Sequence, residues 1–178
     1  MTKSQTRTDD EISQRILRHW HEAVPNDRLA HLVKDTTRGF LRSLQARLAQ
    51  RGVTLGHWTY LRILWERDGL TQRELSYEAG VMEPSVVTAL RGMEELGYIT
   101  REKSAENRKN VYVHLTPKGR KLKAALVPLA EEVNALATKG IPAANLSLIR
   151  NSLLTMIDNL AQDDVINPSA QRAPDDAA

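Results

Sequence analysis

Ser85, Thr88 and Arg91 recur along a stretch of helical pattern that begins at Pro84, with the small residues Ala89 and Gly92 set among them. The chemistry open to such side chains is recognition. The two hydroxyls can hydrogen-bond phosphate oxygens or base edges, and Arg91 can take a phosphate or the edge of a guanine. Ala89 and Gly92 are expected to be exposed with them, letting the helix sit deep in a groove. A second group lies in and beside a polar run, Glu102 to Asn110: Arg101, Lys103, Arg108, Lys109 and Asn110. An arginine at a slender loop tip suits the concentrated negative potential of a minor groove, and Lys103 and Lys109 suit phosphates. Glu106 is the one acid at the tip and could pair with Arg108 or Arg101. From Thr100 to Lys123 there are eight Lys or Arg against two Glu; from Ala124 to Ala178 there are three against seven acids. A basic stripe beside an acidic remainder points to a polyanion met at one place. A solvated charged face has the same composition, so position has to decide.

Two other constellations stand in the first third of the chain. Trp20, Arg38, Arg42, His57 and Trp58 mix aromatic and cationic groups, and Arg38 and Arg42, four apart, share a helix face. Such a face could hold a carboxylate or the phosphates of a coenzyme A thioester; the same residues could equally be solvated arginines and a core tryptophan. His19-x-His21 offers half of a metal site, but no further histidine or acid at a recognisable spacing completes the three or four ligands that zinc wants. Neither a metal nor a cofactor is expected. The chain has no cysteine, which excludes disulfides, thiolate metal sites and thiol redox sensing. With no Gly-x-Ser-x-Gly, no phosphate loop and no dense acid or histidine motif, an enzyme is not expected.

The elements that must position these residues are mostly helical. Ile12, Ile16, Leu17 and Trp20 fall on one face of a short helix ended by Pro25. Asn26 or Asp27 can cap a second helix carrying Leu29, Leu32, Val33, Thr36, Phe40, Leu44 and Leu48, with Gly52 just past its end. A third spans about His57 to Arg67, with Trp58, Leu61, Leu64 and Trp65 inward. Thr71-Gln72-Arg73-Glu74 is a capping box opening a short helix that meets Gly80. The next helix starts at Pro84 and stops at Gly97. The period then changes to alternation in Tyr98-Ile99-Thr100 and Val111 to Leu115, which predicts a two-stranded hairpin. Thr116-Pro117 restarts a helix to about Thr138, with a bend at Pro128 as one option. Beyond Gly140-Ile141-Pro142 a last helix holds Leu146, Ile149, Leu153, Met156, Ile157 and Leu160.

Two short helices, a glycine turn and a hairpin make a winged helix-turn-helix. Counted from Gln72, the fourth and tenth residues (Leu75, Val81) and the fifteenth (Val86) are apolar pins, the fifth (Ser76) is small where the helices cross, and the ninth is Gly80, where φ must be positive. In this geometry the second helix enters the major groove and the first crosses the backbone, which sets Thr71, Gln72, Pro84, Ser85, Thr88 and Arg91 with the wing cations as DNA-binding residues. The architecture expected is mainly α with a small β-wing. Residues 1–10 and 163–178 read as disordered tails, 11–54 and 117–162 as dimerisation helices, and 55–116 as the DNA-binding domain.

The runs Leu70-Thr71-Gln72-Arg73-Glu74-Leu75, Met93-Glu94-Glu95-Leu96-Gly97-Tyr98-Ile99 and Val111 to Gly119 closely resemble the MarR family of bacterial regulators, a resemblance covering roughly Leu29 to Leu160. Where the family usually has Asp-x-Arg in the wing, this chain has Glu106-Asn107-Arg108, an acid one methylene longer. The resemblance implies an obligate homodimer with intertwined terminal helices, a pseudo-palindromic operator, and a repressor released by a small ligand, an aromatic acid or its CoA thioester among them. The residues make room for the same pairing independently. A small wing module cannot cover the apolar faces of both terminal helices, although each could instead fold back on its own chain. The remaining composition fits: 178 residues, 41% apolar and 26% charged, with net charge +3. Its longest apolar stretches, about seven residues, fall short of the roughly 20 that a membrane helix needs. No secretory signal is visible at the polar N-terminus, and a cytoplasmic protein is expected. The alternative function is a winged-helix module that holds another protein without sequence-specific DNA binding.

Overall fold

The computed structural model describes residues 29–103 and 110–163. The expected first helix, the cap at Asn26 or Asp27 and the tails lie outside them, save that Asp163 is described. In chain order the elements are α1 (Leu29–Ala49), α2 (Leu55–Glu66), β1 (Leu70–Thr71), α3 (Gln72–Ala79), α4 (Glu83–Glu95), β2 (Ile99–Lys103), β3 (Val111–Leu115), α5 (Pro117–Ala137) and α6 (Ala143–Ala161). The fold is mainly helical with a small antiparallel sheet. That sheet has three strands rather than two, in the order β1-β3-β2. The added strand pairs Leu70 with Val113 and Thr71 with Tyr112, and two residues are too few for an alternating pattern to show in a sequence.

Threonines start three of the helices. Thr54 caps α2, Thr71 caps α3 and Thr116 caps α5, each accepting from the backbone N–H three residues on, which satisfies a donor the helix leaves free. The box at Thr71 is complete: the Glu74 carboxylate accepts from the Thr71 N–H at 2.8 Å and from its hydroxyl at 2.7 Å. Helix α5 runs through Pro128 as one element.

Apolar spacing places one core beneath the module. Leu61 and Leu64 of α2, Leu75 of α3, Val86, Leu90 and Met93 of α4, Ile99 and Val113 of the sheet and Leu126 of α5 are all buried. Helix α1 is covered only toward its end. Leu48 is buried and Phe40 and Leu44 are half-buried, but Leu29, Leu32, Val33 and Thr36, expected inward with them, are exposed. Helix α6 has no buried residue at all.

Polar contacts fix the wing to this core. One oxygen of Asp68 accepts from the N–H groups of Gly69 (3.0 Å) and Leu115 (2.8 Å), and the other from Arg120 at 2.7 Å. The indole N–H of Trp65 donates to the Gly119 carbonyl at 3.0 Å. Gly119 is pressed against the chain entering β2: a Cβ there would sit 2.1 Å from the Tyr98 carbonyl oxygen. Only a residue without a side chain permits that approach. Gly119→Ala is expected to destabilise the protein by at least about 1–3 kcal/mol, the usual cost of forced overpacking. Denaturant melts would show it as a lower midpoint at unchanged slope.

Candidate nucleic-acid interface

The two helices of the reading unit are held at their crossing by one short bond. Ser76, the small fifth residue, is buried and its hydroxyl donates to the Val81 carbonyl at 2.5 Å. Gly80 closes α3 with φ 63° and ψ 33°, a left-handed conformation that side chains disfavour. Leu75 and Val86 are buried as expected of pins. Val81 is not: its side chain is 40% exposed, and it serves through its backbone, with its N–H on the Ser76 carbonyl.

Burial of Val86, Leu90 and Met93 fixes which side of α4 faces inward, and leaves Pro84, Ser85, Thr88 and Arg91 exposed. The Thr88 hydroxyl donates to the Pro84 carbonyl at 3.2 Å, so its lone pairs still face solvent. The Arg91 side chain has no hydrogen bond or ion pair among the described residues. Ala89 and Gly92 turn inward, contrary to expectation. Ala89 packs on the core, and a Cβ on Gly92 would lie 3.3 Å from the His57 ring nitrogen Nε2. The small residue is there for α2, not for a groove.

The remaining expected DNA residues divide. The Thr71 oxygen is occupied by its cap, and Gln72 is half-buried at the start of α3. Lys103 and Asn110 are exposed at the two ends of the wing loop. Arg108 and Lys109, with Glu106, lie outside the described residues. Arg101 departs most from expectation. It stands mid-strand in β2 and its guanidinium turns back onto Glu94 of α4, with N···O distances of 2.9 and 2.5 Å, while its N–H donates to the other Glu94 oxygen at 3.2 Å. An arginine in a basic run reads as a contact; only the fold shows that an acid one helix back holds it. The hydrogen bonds from the Arg101 side chain hold the Glu94 carboxyl below its ordinary range.

The expected effector residues are dispersed. Trp58 is buried and meets Trp65 edge-on, ring centres 5.7 Å apart. Both line a cleft of about 330 Å³ between α2 and α5 with Arg62, Glu66, Lys123, Val127, Ala130, Glu131 and Asn134. His57 points elsewhere, edge-on to Tyr98 and against Gly92; its Nδ1 is buried without a hydrogen-bond partner among the described residues, and burial lowers its pKa. Arg38 and Arg42 are exposed on α1, Arg38 at 3.8 Å from Asp35, and neither lines the cleft. Trp20 lies outside the described residues. Arg62 and Trp65 were within reach of sequence reasoning, since they follow Trp58 at helical spacings of four and seven; Lys123 was not. No group of three metal-ligating side chains occurs among the described residues, and no described helix is long and apolar enough to cross a membrane.

A helix-turn-helix whose second helix bares its outer side, braced by an antiparallel wing, defines a winged-helix DNA-binding protein. Known proteins make the class specific. The MarR family profile matches residues 53–111. The chain is 32% identical over 120 residues to the HTH-type transcriptional repressor Mb2911 of Mycobacterium bovis, spanning 67% of this chain and 84% of that protein. It is 24% identical over 136 residues to the organic hydroperoxide resistance transcriptional regulator of Bacillus subtilis, spanning 76% and 91%. Among solved structures, a MarR family transcriptional regulator from Listeria monocytogenes complexed with 26mer DNA shares the fold, with a TM-score of 0.69 at 21% identity over 83% of this chain and 99% of that one. The chain belongs to the MarR family of transcriptional regulators.

The Glu94–Arg101 pair is the tie between reading helix and wing. Because the folded carboxyl titrates lower than a free one, its contribution to stability is present above the ordinary glutamate value of 4.5 and disappears as pH falls through the folded value. Glu94→Gln should therefore cost about 1 kcal/mol at pH 7 and less in acid. Equilibrium melts at pH 7 and pH 3.5 check this: an equal loss at both would contradict it.

Proposed function

We propose that this protein is a ligand-responsive repressor, acting in the cytoplasm, whose homodimer grips a pseudo-palindromic operator through two copies of α4 and lets go when a small molecule binds. The observation that carries the reading is the bare outer side of α4. Pro84, Ser85, Thr88 and Arg91 face solvent on a helix fixed rigidly from behind, which is the condition for fitting a major groove. Lys103 and Asn110 at the mouth of the wing, with Arg108 and Lys109 between them in the sequence, supply the phosphate and minor-groove contacts in this reading. An interaction module would not need this concentration of cations beside the reading helix.

The dimer is supported by apolar surface without cover. On α6, Leu148 is 66% exposed and Ile157 and Leu160 are each 61% exposed, and Leu29, Leu32 and Val33 of α1 add to the surplus. A 19-residue helix that buries nothing gains little from its own chain. A second copy would cover it and set two α4 helices about 34 Å apart, one turn of duplex.

For the effector, the cleft beside Trp58 is of a size that holds a small molecule. Its tryptophan wall and the Arg62 and Lys123 cations favour an aromatic acid or its CoA thioester, although Glu66 and Glu131 restrict where an anion could sit. Helix α2 links this cleft to the reading head, since Trp58 follows directly on His57, the residue that packs on Gly92 of α4. A ligand that shifts α2 would shift α4, and a coupling of about 1–3 kcal/mol suffices to regulate.

Gel retardation on the DNA upstream of the protein's own gene is the test. Arg91→Ala should weaken binding by about 1–3 kcal/mol and relax sequence preference, and Lys103→Ala should reduce the salt slope by about one without changing preference. Aromatic acids or their CoA esters should release the DNA; release by none of them would refute the effector class and spare the DNA reading. Ile157→Glu should yield monomers in sedimentation that no longer retard the operator. Retention of a dimer would refute the assignment of α6.

A further inference from the structure

The residue that precedes the reading helix does not fit a structural role. Of the helices α2 to α5, three begin with a threonine whose oxygen caps the first turn; α4 begins with Met82, which makes no side-chain cap bond. Polar residues are strongly preferred there, and an apolar one forgoes a cap. Nor does Met82 return anything to the core: its side chain is 77% exposed, beside the exposed Val81. A large apolar group at the cap of the one helix that reads DNA, bare to water, has neither a local nor a packing reason in the free protein.

In the complex the first residues of a reading helix are the ones brought to base edges. A thioether offers those edges no proton and only a weak acceptor. The apolar feature that a major groove presents is the C5-methyl group of thymine. The neighbouring Glu83, in the first turn of α4, disfavours a phosphate at the same place by like charge. Resting on the DNA-binding reading above, we propose that Met82 is a specificity-determining residue that packs against a thymine methyl in each half-site. Its flexible side chain can follow the groove wall as a rigid branched one could not.

The experiment selects bound duplexes from a random-sequence pool with the full-length wild-type chain. Each thymine of the selected site is then replaced in turn by uracil, which removes only the methyl. One symmetry-related pair of positions should weaken wild-type binding about fourfold per methyl, roughly 15-fold for both, as the loss of a buried CH₃ implies. Met82→Ala should be indifferent to uracil at those positions. Met82→Ser should be equally indifferent while melting no lower than wild type, because serine can cap the helix; this separates lost recognition from lost folding. If no thymine distinguishes wild type from Met82→Ala while Arg91→Ala still binds poorly, the methyl contact is wrong and the DNA reading stands. If no sequence is enriched at all, both fall.

Discussion

One helix has to be gripped on one side and left bare on the other. Everything else in the module follows from that demand on α4. Val86, Leu90 and Met93 anchor it by burial, Ser76 fixes its entry angle through the Val81 carbonyl, and Glu94 ties its far end to the wing through Arg101. None of these contacts uses the outer row from Pro84 to Arg91. The helix is thus rigid where it meets protein and solvated where it would meet DNA, so little ordering remains to be done on binding.

The same packing joins the cleft to α4. Helix α2 lies between the cleft and α4, offering Trp58 to one and His57 to the other from consecutive positions. The tight approach of His57 to Gly92 means that displacement of α2 is not absorbed by a loose interface, since packed cores shift between arrangements rather than deform smoothly. The half-buried ring of His57 belongs to this packing: burial lowers its pKa, so stability is full above the ordinary histidine range and falls as acid charges the ring.

Stability and assembly meet in α1 and α6. The core takes Leu48 from the end of α1 and Leu126 from α5, yet much of α1 and α6 carries apolar side chains into water. Exposed apolar surface on this scale is what the proposed two-fold pairing would cover. Folding of the terminal helices and formation of the proposed two-fold assembly would then be one process, and the operator's symmetry would mirror it.

Local chemistry was legible from the residues. The capping box at Thr71, the turn at Gly80, the burial of Leu75 and Val86 and the strand pattern of β3 each depend on neighbours a few positions away, and the sequence displays those. Register and direction over longer spans were not legible. Arg101 looked like a DNA contact because its acid partner is on another element; Gly92 looked exposed because its neighbour His57 is 35 positions away; β1 is two residues long and has no period. Six apolar positions and one threonine on α1 announced a buried face, but how far α2 and α5 reach along it is a matter of packing. Short-range hydrogen bonding and periodicity are written in the order of residues, so the sequence by itself determined a winged helix-turn-helix with a basic wing. Which cations stay free, which small residues accept a neighbour and which apolar faces remain open depend on where distant segments come to rest, and only the tertiary structure decided those.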